Sequence, residues 1–483
     1  MSSRIGLMTR ALLAVSTAIA VFMTLPSGFA TGMASAVPGR LTYSSIMFAG
    51  GGGVVLHGML VSPAPTGLNR PGLVLVGGAG PGKMVEQLPE AQAFAGSGVV
   101  SLIYDKRTVG YSQFALSYSL LADDAMSAIQ VLRTKPGVDP NSIGMWGESE
   151  GAWVASLTAS RSSQIAFLVT VGASGVSPVR QTAWSWGNYL RHAGVTGSLL
   201  RTVQGPATRV VVAIGLFPEA NYDPVPSWEH VRQPVLALWG ANDQEVPSEE
   251  SSRIIKDALD RGGNTHYMIR FIPNAAHDMH VALDGGFGGA ASLITAPTTS
   301  TGFAPGYTDV VTSWVKSLAK GLPGSMVELA PRQAEQSTPV VPLGSYESPT
   351  VELAAMVLFL VAFLGYPLAR LFRVRQIPAP VRLSATVLAA TGLGTALGLL
   401  MYLFFTLETA GTIVGPVIAG RPLPWLGLQL LAGTALAATI STAVASWRGR
   451  HDLSRWTLAR LGLLLAGGVA LGPFAIYWGL LQP

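Results

Sequence analysis

Short apolar runs alternate with helical patterns through residues 40–320 of the 483-residue chain. Six of these runs are rich in Val, Ile and Leu, as is typical of buried strands: Leu73–Val76, Val99–Tyr104, Ile143–Trp146, Ala166–Val171, Val235–Trp239 and Met268–Ile272. Between the second and third runs, one face of a predicted helix carries four apolar side chains: Leu121, Ala125, Ile129 and Leu132. The alternation predicts a mostly parallel sheet covered by helices. Leu41–Met47 and Val54–Val61 predict an antiparallel hairpin that precedes it.

Four longer apolar stretches fill the last third of the chain: Leu353–Leu368, Leu383–Leu407, Trp425–Trp447 and Leu461–Leu481. Each lacks charged side chains and is close to the ~20 residues that cross ~30 Å of hydrocarbon. We therefore predict a transmembrane region of four helices over residues 351–483, joined to the first part by a linker over residues 322–350 that is rich in Pro, Ser and Gly. The absence of Asp, Glu, Lys, Arg and His at mid-membrane depth favours an anchor over an ion-coupled transporter.

The N-terminus and the loops between the apolar stretches predict the same orientation. A basic start, an apolar run over residues 11–25 and Ala34-Ser35-Ala36 predict a signal peptide or signal anchor over residues 1–36. Arginines cluster in two of the three connecting loops: Arg370, Arg373, Arg375, Arg382, Arg448, Arg450, Arg455 and Arg460. Positive loops stay in the cytoplasm. Both signals therefore place residues 37–350 on the extracytoplasmic side of a multi-pass cell-membrane protein.

Composition and charge exclude several classes of function. Charged residues make up 12% of the chain, about half the share in soluble globular proteins. From Val351 onward nine arginines face three acidic residues, a net +6, so residues 1–350 contribute −1 to the total of +5. No basic stripe with interleaved aromatic residues is present, and we expect no nucleic-acid partner. The absence of cysteine excludes disulfides, thiolate nucleophiles and cysteine-ligated metals.

Gly147-Glu148-Ser149-Glu150-Gly151 lies between a predicted buried strand and the helical run Ala152–Arg161. This strand–turn–helix setting is typical of a nucleophile elbow, which exposes the serine hydroxyl above the sheet. A serine hydroxyl needs a base to take its proton. His277 follows the last strand and is the predicted base, and His280 is the alternative.

The base needs an acid that fixes its tautomer and stabilises the imidazolium. Asp243 follows the strand Val235–Trp239 and is the predicted acid, with Glu245 as the alternative. Negative charge that develops on the substrate needs backbone N–H donors. The glycine-rich loop after Leu73–Val76 and the turn after the nucleophile supply the candidates, the amides of Ala79 and Glu150.

Residues 40–320 resemble bacterial α/β-hydrolases related to dienelactone hydrolases, acyl-CoA thioesterases and the catalytic domain of prolyl-oligopeptidase-type enzymes. Besides the elbow, residues 104–112 (YDKRTVGYS) are similar to the Asp-Lys-Arg-Gly-x-Gly-x-Ser loop of those enzymes. The order Ser149, Asp243, His277 also matches theirs. Two departures, Gly77 in place of a histidine and Thr108 in place of a glycine, alter the expected shape of the pocket.

The resemblance covers about 60% of the chain and implies an eight-stranded, mostly parallel sheet within residues 37–321, with a helical lid over about 176–228. It implies a serine esterase or thioesterase that forms an acyl-enzyme and needs no cofactor or metal. The aromatic lid favours a small-molecule or lipid-like acyl substrate, and membrane lipids are the other expected partners. A prolyl-oligopeptidase-type serine peptidase and an acyltransferase remain alternatives. A non-catalytic membrane scaffold or transporter accessory is the alternative from another class.

Overall fold

The computed structural model describes residues 41–64, 69–80, 82–112, 114–287, 302–369 and 378–483. The predicted signal segment, residues 1–36, lies outside the described residues, and so do Arg370, Arg373 and Arg375 in the loop between the first two apolar stretches.

One sheet of nine strands forms the centre of the first part of the chain, in the order β1-β2-β4-β3-β5-β6-β7-β8-β9. The strands are β1 Leu41–Ala49, β2 Val55–Pro63, β3 Arg70–Val76, β4 Val100–Tyr104, β5 Val138–Glu148, β6 Leu168–Val171, β7 Val235–Gly240, β8 Tyr267–Ile272 and β9 Met326–Val327. β1 and β2 form an antiparallel hairpin, and β2 pairs antiparallel with β4. All pairs from β4 to β9 are parallel. The predicted hairpin and six strands are therefore confirmed.

The α-helices of this part of the chain are α1 Leu88–Gly96, α2 Tyr118–Arg133, α3 Glu150–Arg161, α4 Pro178–His192, α5 Ser198–Thr202, α6 Thr208–Ala213, α7 Val225–His230, α8 Ser248–Arg261 and α9 Tyr307–Ser317. Six of them cover the two faces of the sheet. One hydrophobic core includes buried side chains of α2, α3, α7 and α8, and the other includes those of α1 and α9. The four apolar residues that predicted α2 all lie in the first core. The predicted fold class is confirmed.

The sheet has one strand more than the eight expected, because the segment predicted to be a linker contributes β9. This two-residue strand pairs with β8 at the edge of the sheet. Both of its side chains are exposed, so no buried hydrophobic pattern marked it in the sequence. Further along, the Ser337 hydroxyl lies 2.6 Å from the Glu250 carboxylate and 2.7 Å from Nε of Arg180. The segment therefore lies against the domain at least as far as residue 337.

Four helices in the described part of the chain are long and apolar enough to cross a membrane. We name them span 1 (Pro349–Leu368), span 2 (Ala379–Glu408), span 3 (Leu423–Arg448) and span 4 (Arg455–Tyr477). Spans 2 and 4 begin earlier than their apolar stretches, so Arg382, Arg455 and Arg460 lie in helical turns instead of loops. The Arg460 guanidinium lies 4.3 Å from the ring centroid of Tyr366 in span 1.

Helices α4, α5 and α6, in the region predicted to form a lid, pack against one end of the four-span bundle. Trp425 at the start of span 3 is fully buried and donates its indole N–H to the Ser198 hydroxyl at 3.0 Å. The Thr202 hydroxyl donates to the carbonyl of Trp478 at 3.0 Å, just beyond span 4. The hydrophobic core shared by the two regions, which we call the lid–span cluster, includes Leu190, Leu199, Val203, Leu403, Trp425, Leu428 and Trp478. The hydrolase-like part and the spans are thus joined by a hydrophobic interface.

Candidate active site

Ser149 occupies a strained turn between β5, which ends at Glu148, and α3, which begins at Glu150. Its φ of 51° and ψ of −114° lie in a region that non-glycine residues rarely adopt, at a cost of roughly 1–3 kcal/mol. The flanking glycines make the turn possible. A Cβ on Gly147 would lie 2.2 Å from the Gly151 carbonyl oxygen, and one on Gly151 would lie 2.1 Å from that of Val76. The motif therefore adopts the geometry expected of a nucleophile elbow.

Asp243 and His277 are hydrogen-bonded across the loops that follow β7 and β8. Oδ2 of Asp243 lies 2.8 Å from Nδ1 of His277, and both side chains are buried. The other carboxylate oxygen, Oδ1, accepts the amides of Glu245 and Val246, each at 2.9 Å. These bonds fix the carboxylate so that it holds the imidazole with Nε2 free to face a substrate or nucleophile.

The elbow and the imidazole approach the same point at the end of β6. The Ser149 amide donates to the Val171 carbonyl at 2.9 Å. The next residue, Gly172, has a φ of 58°, and a Cβ there would lie 2.6 Å from Cε1 of His277. Nε2 of His277 is buried and has no hydrogen-bond partner among the described residues, so its bond to the Ser149 hydroxyl is not formed in this structure. Such bonds often form only in the substrate complex.

Glu245 lies on the Nε2 side of the imidazole instead of the Nδ1 side. Its Oε2 is 3.9 Å from Nε2, and 42% of its side chain is exposed. Desolvation lowers the pKa of His277, but the carboxylates of Asp243 and Glu245 outweigh it and raise the pKa above its usual range. Desolvation raises the pKa of Glu245, partly offset by His277. Of the two acids considered from the sequence, Asp243 is thus the one bonded to the ring.

A buried network joins the glycine-rich loop after β3 to the elbow. Lys106 donates its ammonium to the Gly78 carbonyl and to Oε1 of Glu150, the latter at 2.8 Å. The Tyr111 hydroxyl donates to the same Oε1 at 2.8 Å and accepts the amide of Gly80 at 3.0 Å. Ala79 lies between the two tethered glycines, and the Glu150 amide belongs to the first turn of α3, where amides lack intrahelical acceptors. The network therefore holds both candidate oxyanion donors in place.

His280, the alternative base, pairs with a different acid. Its Nδ1 lies 3.2 Å from Asp278, and its ring packs at 4.9 Å from that of Phe303. It lines a cavity with Glu90 and Glu148. Sequence reasoning gave no role to Lys106, Tyr111 or these carboxylates. The similarity of residues 104–112 to a family loop was the only signal for Lys106 and Tyr111.

Residues 126–282 match the family described as BAAT / Acyl-CoA thioester hydrolase C terminal. This segment contains the elbow, Asp243 and His277. The chain is also 32% identical over 123 residues to the thiohydrolase apmlB of Arthrinium phaeospermum, covering 25% of this chain and 39% of that protein. It is 31% identical over 137 residues to the polyketide transferase claH of Penicillium crustosum, covering 27% and 44%. The chain thus spans about two fifths of the length of these relatives.

Solved structures also match part of the chain. DcsB in complex with its substrate analogue covers 58% of this chain and 100% of its own, with a TM-score of 0.40 and 16% identity. A dienelactone hydrolase-like promiscuous phosphotriesterase, P91, from metagenomic libraries covers 59% and 100%, with a TM-score of 0.39 and 16% identity.

Proposed function

We propose that this chain, which belongs to the α/β-hydrolase superfamily, is a membrane-anchored serine hydrolase that cleaves an ester or thioester. The observation that carries the proposal is the strained elbow at Ser149 beside the bonded Asp243–His277 pair. The description of the matched family, which names acyl-CoA thioester hydrolases, supports a thioester or a related activated acyl group as substrate.

In the proposed reaction, Nε2 of His277 takes the hydroxyl proton of Ser149 while Oγ attacks the carbonyl carbon. Asp243 stabilises the imidazolium, and the amides of Ala79 and Glu150 donate to the negatively charged oxygen. The bond to the leaving alcohol or thiol then breaks, and His277 gives the leaving group its proton. Water attacks the acyl-enzyme with the same histidine as base, which releases the acid and restores Ser149.

The bundle supports the proposed location of the hydrolase domain. Contacts with the domain lie at the start of span 1, the end of span 2, the start of span 3 and the end of span 4. For example, Arg209 of the lid pairs with Glu347 before span 1 at 2.6 Å, and the Thr196 amide donates to Gly420 between spans 2 and 3 at 2.8 Å. The charge pattern of the loops predicts these four ends to be extracytoplasmic. A lid against that end favours a lipid-like acyl substrate.

The direct test is turnover of p-nitrophenyl esters and the matching thioesters of graded chain length by the full-length protein in detergent. The full chain is needed because the lid–span cluster joins the two parts. We expect Ser149→Ala to lower turnover by at least about 10³-fold, whereas Ser163→Ala, at an exposed serine beyond α3, leaves it unchanged. Undiminished turnover in Ser149→Ala would remove the proposed nucleophile.

Acyl transfer is a second candidate, favoured by the similarity to a protein named polyketide transferase. The acyl-enzyme would be the same, and an alcohol or amine would replace water in the second half. Mass spectrometry of the products at increasing acceptor alcohol distinguishes the two. A transfer product far above its share in free solution supports transfer, whereas release of the free acid alone supports hydrolysis.

A further inference from the structure

An acidic cavity of about 230 Å³ adjoins the proposed oxyanion loop. Its walls include Gly78 and Ala79 of that loop and Glu148, the residue before Ser149. Drug-sized ligands usually occupy pockets of ~300–1,000 Å³. This cavity is therefore suited to one small group of a substrate whose carbonyl lies at the elbow.

Four carboxyl groups and one imidazole line the cavity: Glu86, Glu90, Glu148, Asp278 and His280. The cations within reach already have partners. His280 lies 3.2 Å from Asp278, and the ammonium of Lys106 lies 2.8 Å from Glu150. None of the salt bridges between described residues involves Glu86, Glu90 or Glu148. These three carboxyl groups are therefore not paired with a cation of the described residues.

Glu90 is the side chain of the cavity whose hydrogen bonding is incomplete. It lies on α1, only 6% of the residue is exposed, and its Oε2 has no hydrogen-bond partner among the described residues. Desolvation, reinforced by the nearby Glu148, raises the pKa of Glu90 to about 8. A buried carboxyl without a partner is costly, and a cation placed beside it removes that cost.

An organic cation fits better than a metal ion. Among the described residues, no three His, Cys, Asp or Glu side chains are gathered so that they could hold a metal. Carboxylates from separate elements, with glycine and alanine between them, suit an ammonium group, which donates several hydrogen bonds without fixed coordination geometry.

We propose that this cavity receives a protonated amine of the substrate, so that the enzyme prefers acyl esters or thioesters with an ammonium group a few bonds from the carbonyl. The inference rests on the proposed hydrolase function. Glu90 and Glu148 bind the ammonium group in the substrate complex, while the reacting carbonyl lies between Ser149 and the Ala79 amide. A neutral chain of the same length leaves Glu90 without its partner.

Matched substrates test this proposal in the full-length protein. The β-alanyl and butanoyl p-nitrophenyl esters differ by an ammonium in place of a methyl group, and the 6-aminohexanoyl and heptanoyl esters repeat the comparison at greater length. We expect kcat/KM for the better amine to exceed that of its neutral partner at least about tenfold, as a charged hydrogen bond in a buried site provides. Glu90→Gln should bring the ratio close to one. Asp139→Asn, at the start of β5 and thus at the opposite end of that strand from Glu148, should leave the ratio unchanged.

A second measurement does not depend on the folding or turnover of a variant. Butylammonium should slow fluorophosphonate labelling of the wild-type protein at concentrations where butanol has no effect.

The outcomes separate the two proposals. In one outcome, the neutral esters are turned over while the ratio of kcat/KM between amine and neutral ester is one or below and does not change in Glu90→Gln. That result overturns the amine site and leaves the hydrolase proposal in place. Protection from labelling by Mg²⁺ or Ca²⁺ and not by butylammonium also overturns it, in favour of a metal. Absence of both turnover and labelling removes the hydrolase proposal and the amine site with it.

Discussion

Replacement of Glu245 by glutamine isolates the effect of one charge on the proposed base. Glu245 Oε2 lies 3.9 Å from Nε2 of His277, the atom proposed to accept the Ser149 proton. The carboxylates around His277 raise its pKa, which favours the imidazolium, a form that cannot accept the serine proton. Glutamine keeps the size of the side chain and removes the charge.

The expected change in the pKa of His277 follows from its distance to Glu245 and from the exposed fraction of the Glu245 side chain. At 3.9 Å, two unit charges interact by about 1 kcal/mol at a dielectric constant of ~80 and by about 4 kcal/mol at ~20. These values correspond to pKa changes of roughly 0.8 and roughly 3 units at 1.36 kcal/mol each. Because 42% of the Glu245 side chain is exposed, screening by water places the effect near the lower limit. We expect the pKa of His277 to fall by about one unit.

The assay is the second-order rate of fluorophosphonate labelling as a function of pH. The rate rises as His277 loses its proton, with a midpoint at the raised pKa of the histidine. In Glu245→Gln the midpoint should move about one unit to lower pH. At pH values well below both midpoints, the variant should then be labelled about tenfold faster than the wild-type protein. Asp139→Asn removes a charge of the same sign at the opposite end of β5 from the elbow and should not move the midpoint. An unmoved midpoint in Glu245→Gln, or a shift to higher pH, would refute His277 as the titrating base.

Two further predictions concern the framework of the site. Gly151→Ala places a Cβ 2.1 Å from the Val76 carbonyl, so we expect little folded protein in detergent by size-exclusion chromatography; normal yield and activity would contradict the tight elbow. In the wild-type protein, Asp124 and Arg107 form a salt bridge at 2.5 Å, and their side chains are only 1% and 2% exposed. Asp124→Ala removes this salt bridge and leaves the guanidinium buried. We expect a loss of about 3–5 kcal/mol and a Tm lower by roughly 10 °C, against little change in Asp123→Ala at the exposed neighbouring position. Equal Tm values for the two variants would show that the buried pair is unimportant for stability.

Periodicity predicted the elements that are buried and missed those that are not. The six internal strands are runs of Val, Ile and Leu because both of their faces are covered by helices, and their lengths limited the choice of fold. Met326–Val327 lies at an exposed edge, so burial imposed no pattern on it. The four spans were recognisable because each contains a long apolar stretch without charged side chains, close to the ~20 residues that cross a bilayer.

Contacts between distant segments explain what the sequence did not reveal about the site. The elbow is local, so five consecutive residues and their flanking elements were enough to predict it. The cavity beside it combines Glu90 from α1, Glu148 from β5 and Asp278 from a later loop, and no spacing rule connects them. The interface of the lid region with the spans likewise includes a hydrogen bond between Trp425 and Ser198, which are 227 positions apart. The lid region and the spans each have an ordinary hydrophobic pattern, and neither pattern specifies the segment that packs against it.

Ser149, as a nucleophile activated by His277, is the centre of the proposed reaction. Full-length protein treated with a fluorophosphonate, digested and analysed by mass spectrometry would locate the covalent adduct. We expect one adduct, on the peptide that carries Ser149, lost in Ser149→Ala and formed far more slowly in His277→Gln. An adduct on another residue, or an equal yield in Ser149→Ala, would contradict the proposed catalytic site.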